Sequence, residues 1–255
     1  IKDPLLGNGS LQIQVLALPD REGMVVKVSL KNISVNGQLA WVYGGATGKK
    51  FSRDGDIGAD PESSFYLQPD YCKDNRFNVR ENNFELSFGT GKVRSEEERY
   101  GNDPLRKATD SLFQINNHKW IFGVVPPSSS IKIGDAKSLE NPLSVLSSNA
   151  SSTPVVMGTI KRTATDFYFL IMNGRQDKTI KYKDLKTLFE SAEASRIKLA
   201  NRVQVNTPDS FINTLGGALA IAGDAIWEEP SYLHGAVAWR MRLNAWRGPY
   251  VADPL

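Results

Sequence analysis

The residues best suited to chemistry lie toward the C-terminal end. His234, Trp239, Arg240, Trp246, Arg247, Tyr250 and Asp253 interleave flat rings with hydrogen-bonding groups. Sugars present C–H patches ringed by hydroxyls. Indoles and phenols cover the patches, while Arg, His and Asp bond the hydroxyls. This mixture predicts a substrate-binding wall for a saccharide. The same tryptophans would also serve to pack a domain boundary, and composition leaves both readings open.

Hydrolysis of a glycosidic bond needs two carboxylates, one on each side of it. Asp253 is the only acid near the end of the aromatic loop. Other motifs fail on their own terms. Gly44-Gly45-Ala46-Thr47-Gly48-Lys49-Lys50 has Tyr43 where a phosphate loop needs its first glycine and Lys50 where it needs Ser or Thr. Asp54, Asp56 and Asp60 sit among glycines without the spacing of a calcium loop, as an Asx-rich turn would. The two histidines, His118 and His234, are far apart, and neither HExxH nor CxxC occurs. No Gly-x-Ser-x-Gly elbow is present. Cys72 is the one cysteine, so no internal disulfide forms, and a lone thiol is most simply a small core residue. Neither a metal nor another cofactor is expected.

The 255 residues are 40% apolar and 23% charged, which suits a soluble globular chain with one large or two smaller domains. The 31 basic and 28 acidic residues are mixed along the sequence, leaving +3. Phosphate neutralisation requires clustered cations, so nucleic acid is not an expected partner. No apolar run reaches the roughly 18 residues of a membrane span. The chain begins at Ile1 without a methionine or signal-peptide pattern, so trimming of a leader is expected.

The elements that must carry these residues change character along the chain. Leu11, Ile13 and Val15 alternate with Gln12 and Gln14. Met24, Val26, Val28 and Leu30 alternate likewise, as do Phe84, Leu86 and Phe88. Such period-two patterns predict strands with one face in a core. Trp120 to Val125 and Phe167 to Ile171 are more continuously apolar, as in strands buried on both faces or the inner strands of a large sandwich. Pro126 to Ser130 and Ser147 to Pro154 punctuate them as turns. The pattern predicts a large antiparallel sandwich.

From Asp184 the period becomes helical. Leu185, Leu188, Phe189, Ala192 and Leu199 share a face, with Asp184 as the expected cap. Thr207-Pro208-Asp209 predicts a second helix start, with Thr207 as N-cap. Phe211, Ile212, Leu215, Leu219, Ala222 and Ile226 follow in steps of three and four, as the face of a helix that needs a partner. Gly216, Gly217 and Gly223 weaken that helix unless a neighbour approaches closely.

The run Asn206-Thr207-Pro208-Asp209, Ala225-Ile226-Trp227, Tyr232-Leu233-His234-Gly235-Ala236, Ala238-Trp239-Arg240 and Trp246-Arg247-Gly248-Pro249-Tyr250 resembles the entry into a six-hairpin, (α/α)6-type glycosidase domain. More specifically, the chain resembles a family from saccharolytic Gram-negative bacteria. Its members join an N-terminal β-sandwich domain of unknown function to such a barrel. The similarity is strongest over residues 180–255. Asn244-Ala245 departs from the Pro-Gly expected before Trp246.

The resemblance implies a super-sandwich over residues 1–182, and a linker helix with the first barrel segment over 183–255. It implies that loops at one end of the barrel build the sugar site, with catalytic carboxylates in later hairpins absent from this chain. The expected role is therefore the N-terminal accessory part of a glycoside hydrolase-like protein, periplasmic or extracellular. Its expected partners are carbohydrate and the remainder of its own helical barrel. The alternative is a self-contained, non-catalytic carbohydrate-binding or scaffold protein.

Overall fold

The computed structural model describes residues 1–33, 39–44, 69–88, 120–161, 164–173, 179–228 and 231–232. Contacts divide them into two compact units, one running up to Phe189 and one from Glu190 onward.

The first unit is a β-sandwich. Its larger sheet is built from β1 (Ser10–Ala17), β2 (Gly23–Lys31), β4 (Arg76–Arg80), β5 (Asn83–Ser87), β6 (Trp120–Val124) and β9 (Asp166–Asn173). Their order is β1-β2-β9-β6-β5-β4, with every neighbour antiparallel. The smaller sheet places β8 (Pro154–Ile160) between β3 (Leu39–Tyr43) and β7 (Ser129–Asp135), again antiparallel.

Alternation decides which side chains meet between the sheets. Val28, Leu30 and Phe167 of the larger sheet pack with Ile160 of the smaller one. Phe84 packs with Val156, and Trp41, Tyr43, Phe77, Ile131 and Phe169 close around them. Trp41 lies nearly parallel to Phe84 at 6.3 Å and edge-on to Phe169 at 6.0 Å. Glycine makes this geometry available. A Cβ at Gly123 would overlap the Phe84 ring, and one at Gly158 would come within 2.8 Å of the Trp41 indole.

The two continuously apolar segments occupy the middle of the larger sheet. On its other face Phe122, Val124, Leu170, Met172 and Val25 are buried too. The far side of β8 also has a cluster. There Val155 and Met157 pack with Val145 of α1 (Pro142–Ser147), Ala136 and Cys72. Cys72 is buried, as expected of a core thiol. Asn141 caps α1 by accepting from the Leu143 and Ser144 N–H groups at 3.0 and 3.1 Å.

Helix α2 (Leu185–Ala200) begins in this unit. Its predicted stripe is real: Leu185, Phe189 and Ala192 are buried, and Lys186, Glu190 and Lys198 are exposed. The cap differs from expectation. Asp184 ends a 3-10 turn, Tyr182–Asp184, and accepts from the Lys181 N–H at 2.9 Å instead of bonding the first turn of α2.

In the second unit the expected single helix from Thr207 is broken into α3 (Ser210–Asn213) and α4 (Leu215–Ala225). The N-cap is Asp209, which accepts from Phe211 N–H at 2.8 Å and Ile212 N–H at 3.4 Å. Thr207 instead accepts from the Asp209 N–H at 3.2 Å and donates to Asn213 Oδ1 at 2.9 Å. The Thr214 hydroxyl donates to the Phe211 carbonyl at 2.8 Å, closing the first helical turn.

The faces of α4 also reverse the simple expectation. Gly216, Ala220 and Gly223 are buried, while Leu215 and Leu219 are exposed, as are Phe211 and Ile212 before them. A Cβ at Gly216 would stand 2.5 Å from the Val203 carbonyl, and one at Gly217 would stand 3.0 Å from that of Ala200. The small residues are therefore where another segment comes close. Arg196 and Asp224 join α2 to α4 at 2.8 Å within this unit. Trp227–Glu228 then pairs with Ser231–Tyr232 as a short antiparallel ribbon.

One consequence is alkaline sensitivity. Burial pushes the Tyr43 phenol up to about 12, from an ordinary 10.0. The fold favours the neutral phenol, so this stabilisation is complete below pH 10 and is lost as pH rises toward about 12. The loss should reach roughly 2 kcal/mol, since each pKa unit is worth about 1.4. Urea unfolding across that range should show the decline in the native chain and a shallower one in Tyr43→Phe. Parallel curves for the two proteins would rule out Tyr43 as its source.

Candidate functional site

Strand register alone brings a polar surface together on the face of the larger sheet that points away from the smaller one. Gln14 stands opposite Lys27, and Lys27 opposite Tyr168. In the next row Gln12 faces Ser29, and Ser29 faces Asp166. Lys31 follows two residues on, at the end of β2. Asn32 then turns the chain in the left-handed region at φ 52°, a conformation asparagine tolerates.

These residues, Tyr168 apart, line an open groove of about 490 Å3, completed by Leu30 and Thr165. Its floor is Ser29, which is 7% exposed. Asp166 is held in its charged form. The Ser29 hydroxyl bonded to it is the main cause, and Lys27 and Lys31 add their charges against a partial desolvation cost. Lys27 Nζ lies 3.3 Å from Asp166 Oδ2. It also sits 6.0 Å from the Tyr168 ring centre and 5.7 Å from that of Phe189. Phe189 meets Tyr168 edge-on at 5.9 Å, so the first turns of α2 lie beside the groove. Tyr182 approaches as well, its hydroxyl accepting from the Tyr168 N–H at 3.4 Å.

The groove offers amide, hydroxyl, ammonium and carboxylate groups. It lacks a pair of facing acids, because Asp166 is the only carboxylate among its described lining residues. An ionised carboxylate paired with a lysine is not placed to donate a proton as a general acid at neutral pH, and glycoside hydrolysis would need a second carboxylate that the described lining lacks. The arrangement is suited to binding a polar ligand through hydrogen bonds.

No curated protein matches the sequence. The family model described as a domain of unknown function, DUF4450, matches residues 1–193. The chain belongs to the DUF4450 family. The match takes in the whole described sandwich of this DUF4450 domain and the first half of α2. The groove therefore lies entirely within the family's domain.

The predicted sugar-binding residues His234, Trp239, Arg240, Trp246, Arg247, Tyr250 and Asp253 lie outside the described residues, as do His118, Asp54, Asp56 and Asp60. Gly44 is the one described member of its glycine-rich run. A Cβ there would overlap Val155, which accounts for this glycine by packing. Among the described residues no three His, Cys, Asp or Glu side chains are grouped to hold a metal ion. No described helix is long and apolar enough to cross a membrane.

Sequence reasoning missed the groove of this DUF4450 domain, although half of its signal was visible. The alternation that turns Leu11 and Val28 toward the core turns Gln12, Gln14, Lys27, Ser29 and Lys31 to the opposite face. Ile13 and Val15 on the edge strand β1, by contrast, stay 49% and 55% exposed instead of entering the core expected of them. Their convergence with Asp166 depends on β2 pairing with both β1 and β9, which spacing does not reveal.

Proposed function

We propose that this DUF4450 chain is the N-terminal accessory part of a glycoside hydrolase-like protein acting on oligo- or polysaccharide, periplasmic or extracellular. In this reading the sandwich supports an (α/α)6 barrel and borders its cleft, and the catalytic carboxylates belong to later barrel hairpins. His234, Trp239, Arg240, Trp246, Arg247, Tyr250 and Asp253 contribute the first wall of the sugar site. The observation that carries the reading is the aromatic and hydrogen-bonding run after Trp227, which matches the chemistry of a saccharide and resembles a barrel entry. The polar groove adds support, because its amides and hydroxyl suit a hydroxyl-rich ligand.

A second reading, a self-contained carbohydrate-binding module, is favoured by one feature. The groove is built from the sandwich alone.

Calorimetric titration with an oligosaccharide panel tests the proposal. Trp239→Ala and Trp246→Ala should each weaken sugar binding about tenfold, roughly 1.4 kcal/mol. Trp120→Ala is the control, because Trp120 is 44% exposed on β6. Trp41 is unsuitable as a control, since it packs against Phe84 and Phe169 in the core. Equal affinity in all three variants would remove the terminal loop as a sugar site.

A further inference from the structure

We propose that the groove over β1, β2 and β9 is a binding site for an acidic saccharide, with Lys31 receiving the ligand's carboxylate or sulfate. The proposal rests on the carbohydrate reading above and adds a second site and a charge preference to it.

The argument begins with how the charges are already used. Lys27 is committed: it pairs with Asp166 at 3.3 Å and lies against the Tyr168 and Phe189 rings. Asp166 is committed too, between Lys27 and the buried Ser29 hydroxyl. The remaining charge in the lining is Lys31, which is exposed, acts on Asp166 only through its longer-range charge and forms no ion pair of its own among the described residues. Two lysines against one aspartate leave the lining at +1. A groove whose internal pair is closed and whose spare group is an ammonium favours a ligand with one anionic group per contact.

The other lining groups set the rest of the ligand. Gln12 and Gln14 project from the same face of β1, about 7 Å apart along the strand. Each amide both donates and accepts, as do Asn32 and the Thr165 hydroxyl at the rim. Dispersed two-way hydrogen bonders suit a chain of hydroxyls better than a compact anion, which calls for several donors converging on one point. The volume of about 490 Å3 lies within the range of small-molecule sites, yet the lining is polar where a site for an apolar ligand would be hydrophobic. No aromatic ring is among the described lining residues, so recognition is by hydrogen bonds and charge without stacking.

The test uses the 255-residue chain with three probes of equal length: oligogalacturonate, a sulfated oligosaccharide and a neutral malto-oligosaccharide. The acidic probes should bind at least tenfold more tightly than the neutral one, and the preference should shrink as salt screens the charge. Lys31→Ala should abolish the preference, and Lys31→Arg should retain it. Gln12→Ala with Gln14→Ala should weaken all the probes severalfold. A gap between the galacturonate and sulfated probes identifies which anion the site prefers.

Several outcomes overturn the proposal. One is acidic binding that Lys31→Ala leaves unchanged, and another is equal binding of acidic and neutral probes. Displacement by inorganic sulfate at concentrations matching the sugar would reduce the site to a simple anion spot. Neutral binding that depends on Trp239 and not on Gln12 would sink the groove while leaving the carbohydrate reading intact. If none of the probes binds, the groove proposal fails, and the Trp239 and Trp246 titrations judge the broader reading separately.

Discussion

Replacing Phe84 by alanine is expected to destabilise the sandwich by about 3–5 kcal/mol, the usual cost of removing a buried phenylalanine ring. The ring is 2% exposed and lies between the two sheets. Trp41 stacks on it at 6.3 Å, Tyr43 lies 5.4 Å away and Phe77 meets it edge-on at 6.2 Å. These neighbours belong to β3 and β4, so collapse into the vacated space would have to move strands of both sheets. The lost contacts are therefore only partly recovered. A typical domain has a margin of about 5–15 kcal/mol, so the variant should unfold at much lower denaturant. Equilibrium unfolding followed by tryptophan fluorescence measures this directly. A loss below about 1 kcal/mol would mean that the two sheets do not close over this ring.

Phe189→Ala should cost about 3 kcal/mol, toward the lower end for a buried phenylalanine because α2 can settle partly into the gap. Phe189 is 3% exposed, contacts Tyr168 edge-on and lies near the Lys27 ammonium. Its effect should be local as well as global. Amides of Leu185 to Phe189 should lose hydrogen-exchange protection before those of β2 and β9, because the ring ties the helix start to the sheet. Combining it with Lys27→Met should give a coupling of about 0.5–1 kcal/mol, the scale of an exposed cation–ring contact. Additive losses, with unchanged protection of the helix start, would show that Phe189 contributes burial without holding α2 in place.

These two positions differ in how much of their role was legible. Phe84 alternates with Leu86, which marks an inward-facing strand residue. Its partners Trp41 and Tyr43 are forty residues away in sequence, and no local period connects them. Phe189 was legible as part of a helical stripe, but the surface beneath it was not. The break at Thr214 was hidden for another reason. The apolar repeat runs unbroken from Phe211 to Ile226, whereas capping and side-chain bonds of Asp209, Asn213 and Thr214 decide where the turns close.

By itself, the sequence determined the antiparallel β character of the first unit, the doubly buried nature of β6 and β9, the α2 stripe and the core placement of Cys72. These follow from local period and residue size, which need no knowledge of partners. Tertiary structure decided the order β1-β2-β9-β6-β5-β4, the use of Gly123 and Gly158 to seat aromatic rings, and the face of α4 that turns inward. It also decided the groove, because Gln12, Ser29 and Asp166 become neighbours only through long-range strand pairing. Periodicity tells a residue which side of its own strand it occupies. Only hydrogen bonding between distant strands sets which residues stand beside it.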